Sequence, residues 1–133
     1  LKYSNIDLAG KEFLVVGGGA VGLPLSLLAL REGYSTVTLC EYQTDNIPEK
    51  TREADIICSS VGRKNFVTED MISEGAVVVD IGINETDSGI TGDVDYESVK
   101  EKASYITPVP GGVGPMNTTL SMLNTVKEAK LQN

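Results

Sequence analysis

Gly17, Gly19 and Gly22 stand in the spacing G-x-G-x-x-G, directly after the β-branched run Val15-Val16 and ahead of an apolar segment that starts at Leu23. Each position answers a physical need of a dinucleotide site. The first glycine lets the chain turn sharply out of a strand. The second lets backbone approach a pyrophosphate, and the third lets the next helix pack closely. A helix that begins there directs unpaired N–H groups and its positive end at phosphates. Gly17, Gly18, Gly19, Ala20, Val21 and Gly22 are therefore candidate cofactor-binding residues. Glycine-rich turns are common, so the pattern needs company.

Glu41 supplies some. It follows a second β-like run and lies about 20 residues beyond Gly22, the offset of the acidic residue that binds the adenosine ribose of NAD. Alone it would read as a solvated strand-end carboxylate; with the glycine pattern, the strand and the offset it reads as a ribose acceptor. A carboxylate there also opposes a 2′-phosphate. Two like charges 4 Å apart repel by about 4 kcal/mol at an effective dielectric constant of 20, before ions reduce it. No arginine is near this turn in the sequence, and Arg31 falls at the far end of the following helix. The chain has no histidine. That excludes Ser-His and Cys-His nucleophilic chemistry and the commonest metal ligand.

The elements that must position these residues alternate. Strands are expected over residues 13–16, 36–40, 55–59, 76–80 and 105–106. Helices are expected over 20–32, closed by Gly33, then 46–53, a short one from 68, one from Asp95 to about 102, and 118–130. Residues 1–11 read as a polar lead-in, 84–92 as a polar excursion, and 108–115 as irregular. Strands alternating with helices imply βαβ units. The expected fold is α/β, a Rossmann-like three-layer domain with a mostly parallel sheet flanked by helices. In such sheets ligands bind beyond the carboxyl ends of the strands. The turns at Gly17, Glu41, Ser60-Val61-Gly62 and Gly82-Ile83-Asn84 should therefore cluster.

The 133 residues suit one domain, 1–133, and the composition is that of an ordinary globular chain. A net charge of −8 argues against nucleic acid and anionic membrane surfaces. Residues 13–30 carry no charge, but four glycines and a proline fit a buried strand-turn-helix better than a membrane span. Cys40 and Cys58 lie near the ends of β-like runs in no metal-ligand spacing. They read as buried free thiols in a reducing, cytoplasmic setting, with no metal site. The chain begins at Leu1 without a basic leader, which suggests a fragment or a processed product.

The string Thr107-Pro108-Val109-Pro110-Gly111-Gly112-Val113-Gly114-Pro115-Met116 fixes an irregular path and leaves backbone open to a ligand. With Asp7-Leu8-Ala9-Gly10-Lys11, Val21-Gly22-Leu23-Pro24, Thr36-Val37-Thr38 with Cys40, Ala54-Asp55-Ile56, Gly75 to Asn84, Gly92-Asp93-Val94-Asp95 and Asn124-Thr125, it resembles the C-terminal, NAD(P)-binding domain of the bifunctional methylenetetrahydrofolate dehydrogenase/methenyltetrahydrofolate cyclohydrolase family. The resemblance implies an enzyme of one-carbon and purine metabolism. It would oxidise 5,10-methylenetetrahydrofolate by hydride transfer to a dinucleotide, then hydrolyse the methenyl product to 10-formyltetrahydrofolate. It further implies that Val61, Gly62, Ile83 and Asn84 flank the cofactor, and that Asn117 stands where the family has a Thr near the nicotinamide. Pro110, Gly111 and Gly114 would line the folate side, and the intact protein would be a homodimer.

This sequence departs from the family at the turn. Relatives carry G-R-S, three residues and a Gly, one residue longer than here. The Arg and Ser have no counterpart. The family's His-Ser pair after the second strand, which helps hold a 2′-phosphate, is Glu41-Tyr42. NAD is therefore expected over NADP. The family's catalytic Tyr and Lys, spaced Y-x-x-x-K, belong to an N-terminal domain that this chain lacks. No catalytic residue is assigned here, and the folate would be shared with that missing domain. Other readings are a stand-alone NAD-sensing module and a dimerisation module, both without catalysis.

Overall fold

The computed structural model describes residues 6, 9–33 and 36–131. The lead-in block at Asp7-Leu8 lies outside the described residues. Five strands form one parallel sheet in the order β2-β1-β3-β4-β7. They are β1 (Glu12–Val16), β2 (Thr36–Cys40), β3 (Ile56–Ser59), β4 (Val77–Asp80) and β7 (Tyr105–Ile106). Apolar, largely β-branched runs suit strands buried on both faces. Alternation divides the side chains. Leu14, Val16, Ile57 and Val78 face one layer, with Ile47, Val67, Met71, Ile72, Val94 and Val99. Phe13, Val15, Ile56, Cys58 and Val77 face the other, with Ala29.

Helix α1 (Gly22–Arg31) follows β1, and α2 (Ile47–Glu53) follows β2. Gly33 ends the first of these with φ +93°, a conformation that favours glycine. Pro48 sits in the first turn of α2, where its missing N–H costs nothing. A 3₁₀ turn (Glu69–Met71) and α3 (Tyr96–Val99) complete that layer. The strand ends fall where expected, give or take a residue.

Three expectations need correction. Residues 84–92 are not a simple excursion: β5 (Asn84–Thr86) and β6 (Gly89–Thr91) pair antiparallel as a hairpin. The helix after Asp95 stops at Val99, short of 102. The last helix, α4, runs over Val113–Leu131, so part of the segment expected to be irregular is helical. Pro115 falls in its first turn, where no intrahelical N–H is needed. Residues 114–131 are all exposed, including Leu120, Leu123 and Val126, whose helical spacing sets them on one face.

Register places the site. Val16 lies opposite Cys40 on one side and Ser59 on the other, and Ser59 lies opposite Asp80. The residues that follow, Gly17, Glu41, Ser60 and Ile81, therefore leave the sheet at one level. The order reverses at β1, whose neighbours β2 and β3 are reached on opposite sides, and this is where α/β sheets open a crevice. Among the described residues no helix is long and apolar enough to cross a membrane. Both cysteines are buried free thiols. Burial pushes the Cys58 thiol up to about 12, so it stays protonated.

Ile57 is fully buried at the centre of the sheet. Ile57→Ala should lower the unfolding free energy by about 2–5 kcal/mol in a urea titration. An unchanged midpoint would contradict this placement of the core.

Candidate functional site

Beyond the ends of β1, β2 and β3 lies a cavity of about 620 Å³. Gly17, Gly18, Gly19, Glu41, Ser60 and Val61 are on its wall, and Ile47, Phe66 and Met71 give it an apolar part. The glycine turn is built by close approach. The Gly17 N–H donates to the Cys40 carbonyl (2.8 Å), and Ser60 Oγ donates to the Gly17 carbonyl (2.9 Å). Gly17 has φ +93°, and a Cβ there would lie 2.4 Å from the Ser60 carbonyl oxygen. A Cβ on Gly22 would lie 1.8 Å from the Gly17 carbonyl oxygen. The third glycine thus lets α1 begin against the turn itself. Gly19 has open space where a Cβ would stand.

The start of α1 suits an anion. Val21, its N-cap, offers no side-chain oxygen to the first amides, and the first turn holds no acidic residue. Ser26 Oγ caps inward, donating to the Gly22 carbonyl (2.9 Å). The Leu23 N–H is taken by the Gly19 carbonyl (3.3 Å) and Pro24 has none, so it is the amides of residues 18–22 and the helix's positive end that are left for a ligand. Glu41 is held by its backbone: its N–H donates to Thr44 Oγ1 (2.9 Å) and its carbonyl accepts from the Thr44 N–H (2.8 Å). Its carboxylate leans over the turn, so close to Gly18 that a Cβ there would meet Glu41 Oε1 at 1.9 Å. The turn, the acid and the cavity fit a dinucleotide with its pyrophosphate over the glycines and its ribose hydroxyls at Glu41.

Two buried carboxylates hold the neighbouring loops. Asp93 is fully buried and accepts five hydrogen bonds: from Ser59 Oγ (3.2 Å), the N–H groups of Val61 (2.6 Å), Gly62 (3.1 Å) and Arg63 (3.0 Å), and Asn84 Nδ2 (2.9 Å). Asp80 accepts from the N–H groups of Gly82, Asp93 and Val94, each at 3.0 Å. The Asp80 N–H donates to Thr107 Oγ1 (2.8 Å), which ties the Pro-Gly string to the end of β4.

The structure brings the expected site residues together unevenly. Gly17, Gly18, Gly19, Glu41 and Val61 share the cavity, while Ala20, Val21 and Gly22 are not on its wall. Gly62 adjoins Val61, but the amides of Val61 and Gly62 point inward to Asp93, leaving the Val61 side chain and the two carbonyls for a ligand. Asn84 spends its amide hydrogens on Asp93 and the Gly92 carbonyl (3.0 Å), so it braces the loop. Ile83 is exposed beside it. Pro110, Gly111, Gly114 and Asn117 are exposed and are not on the wall of this cavity. Sequence reasoning missed Asp80, Asp93, Ser60 and Arg63. An acid inside the apolar run Val79-Asp80-Ile81 was the available signal for one of them. Arg63 also corrects the view that no arginine serves this turn, since it lines the same cavity.

A sequence model of the tetrahydrofolate dehydrogenase/cyclohydrolase NAD(P)-binding domain matches residues 1–133. This chain belongs to that family. It is 55% identical to the bifunctional protein FolD of Bacillus subtilis over 132 residues, 98% of this chain and 46% of that protein. The crystal structure of the bifunctional FolD enzyme of Campylobacter jejuni superposes with a TM-score of 0.94 at 47% identity, covering 100% of this chain and 48% of that one. The Trypanosoma brucei FolD enzyme, solved with NADP and an inhibitor, gives 0.90 at 34% identity, with coverage of 99% and 48%. The chain thus spans about half the length of the family members it matches. The FolD relatives confirm the expected family and the Rossmann-like sheet.

Asp93→Asn turns an N–H₂ group towards backbone N–H donors whichever way the amide lies. It should cost about 3 kcal/mol in urea unfolding and speed hydrogen exchange at residues 61–63. Wild-type protection there would refute the bracing role. Burial raises the Asp80 carboxyl, while the Glu12 N–H and the Lys11 ammonium lower Asp55. The signs are opposite. Asp80 contributes most below the ordinary 3.8 and loses this as pH rises through its raised value; Asp55 contributes above 3.8 and loses it as pH falls through its lowered value. Carboxyl NMR should show Asp55 titrating below 3.8 and Asp80 above it.

Proposed function

We propose that this chain is the cofactor-holding part of a one-carbon folate enzyme of the FolD type. The intact protein would oxidise 5,10-methylenetetrahydrofolate to 5,10-methenyltetrahydrofolate and hydrolyse that to 10-formyltetrahydrofolate. When bound, the dinucleotide supplies the hydride acceptor. The part of this chain is to hold and aim it. The amides of residues 18–22 bind the pyrophosphate, the Gly17 N–H being held by the Cys40 carbonyl, and Glu41 accepts from the adenosine ribose. Val61, Gly62 and Ile83 flank the cofactor, with Asn84 and Asp93 fixing their loops. Pro110, Gly111 and Gly114 belong to a folate wall, which a second domain carrying the Tyr and Lys would complete, and Asn117 stands towards the nicotinamide.

NAD is the preferred cofactor in this reading. The observation that carries it is the position of the Glu41 carboxylate over Gly18 at the end of β2. A 2′-phosphate would meet that charge with neither the Arg-Ser of the usual turn nor the His-Ser after β2 to offset it. Homodimer formation and a cytoplasmic setting follow the resemblance and the free thiols. No nucleic acid or membrane partner is proposed. A stand-alone sensing module is the weaker alternative. The apolar side chains of α4 stand exposed, as expected of a surface made to be covered.

Titration with both dinucleotides should give NAD at least about tenfold the affinity of NADP, and Glu41→Ser should narrow the ratio. Equal or tighter binding of NADP to the wild-type chain would sink the preference. The isolated 133 residues should show neither dehydrogenase nor cyclohydrolase turnover. Measurable activity of either kind would show that the reacting groups are in this domain after all.

A further inference from the structure

The wall of the glycine-turn cavity carries two charged side chains, Glu41 and Arg63. The ribose reading uses Glu41 and leaves Arg63 unexplained. Its backbone is anchored, since its N–H donates to buried Asp93 Oδ1 at 3.0 Å. Its head is not. The guanidinium lies 5.5 Å from the centroid of the Phe66 ring, and among the described residues no carboxylate pairs with it. A cation–π contact at an exposed site holds only weakly, so the head can leave the ring for a stronger partner.

The cavity has a need for such a cation. The shortened turn offers N–H groups and a helix end but no full positive charge. Glu41 adds a negative charge to the same wall, in a chain of net charge −8. A pyrophosphate entering here would meet the repulsion of Glu41, which a cation on the same wall offsets. The loop that carries Arg63 leaves from Ser60, which is against the turn: a Cβ on Gly17 would stand 2.4 Å from its carbonyl oxygen.

We propose that Arg63 is a phosphate ligand of the dinucleotide, binding the pyrophosphate from the β3 side of the cavity while the turn amides bind it from the other. The planar guanidinium can give two parallel charge-assisted hydrogen bonds to phosphate oxygens. This rests on the dinucleotide reading of the cavity, and the pyrophosphate assignment holds for NAD and NADP alike.

The test is calorimetric titration of the chain with NAD and with NADP, for wild type, Arg63→Gln and Arg63→Lys, at about 0.02 M and about 0.5 M salt. Arg63→Gln should lower NAD affinity about tenfold or more at low salt. It should also flatten the salt dependence, and Arg63→Lys should retain most of both. Arg63 is exposed, so far-UV circular dichroism should show the fold unchanged. Unaltered NAD binding by Arg63→Gln would overturn the proposal. So would a loss that is the same at both salts, which would indicate stacking on a ring, or a loss confined to NADP, which would indicate a 2′-phosphate contact. If the wild type prefers NADP, the cofactor preference falls; the Arg63 assignment then stands only if Arg63→Gln weakens both dinucleotides alike. If the wild type binds neither, the reading of the cavity falls and Arg63 falls with it.

Discussion

A buried carboxylate organises the ligand side of this domain. Asp93 has no contact with water, yet it collects donors from the end of β3, from three successive amides after it, and from the start of β5. Removing a charge from water is expensive, and only a full set of donors offsets it. The loops therefore have little freedom: any rearrangement that takes an amide away leaves part of a buried charge unsatisfied. Asp80 repeats the device one strand over. The two acids also interlock through glycines. A Cβ on Gly82 would lie 2.1 Å from Asp93 Oδ1, and one on Gly92 would lie 1.8 Å from Asp80 Oδ2. Each carboxylate occupies the space where the other loop has no side chain.

From that constraint the cofactor side follows. The sheet brings Gly17, Glu41 and Ser60 out at one level by register alone. Register does not decide how the next residues run. Asp93 does so after β3, and the Gly17–Ser60 contact joins that loop to the glycine turn. The turn is then fixed from two directions, by Ser60 on one side and by α1 packing through Gly22 on the other. The close packing is possible because Gly17 and Gly22 stand at the contacts that leave no room for a Cβ.

What could be read in the sequence was local. Buried parallel strands are unbroken apolar runs, and a glycine turn followed by an acid at a set distance lies within one βαβ unit. The placement of Glu41 beside the glycine turn was legible for that reason. Asp93 and Arg63 were not, because their meaning depends on partners about thirty residues away, and a lone polar residue reads as solvated. The hairpin at Asn84–Thr86 was hidden by its shortness: three polar residues carry no alternation. The start of α4 was hidden by Pro115, which reads as a breaker until it is placed in a first turn. Burial was the least legible quantity. The Leu120, Leu123 and Val126 stripe has helical spacing, but spacing cannot say whether the surface it meets belongs to this domain.

Glu41 and Arg63 together suggest how affinity and selectivity are divided in this site. Selectivity is a difference between two ligands, so only a group near the atom that differs can produce it. In the proposed reading Glu41 stands beside the ribose and acts on the one phosphate that NADP adds. A cation on the pyrophosphate acts on both cofactors equally and changes no ratio. It can, however, restore the affinity that a carboxylate on the same wall removes. On this reading a turn without an arginine can discriminate against the 2′-phosphate and still hold the dianionic pyrophosphate. The two charges come from the loops after β2 and β3, the strands that flank β1. The strand-order reversal that opens the crevice is thus also what lets opposite charges address different parts of one ligand.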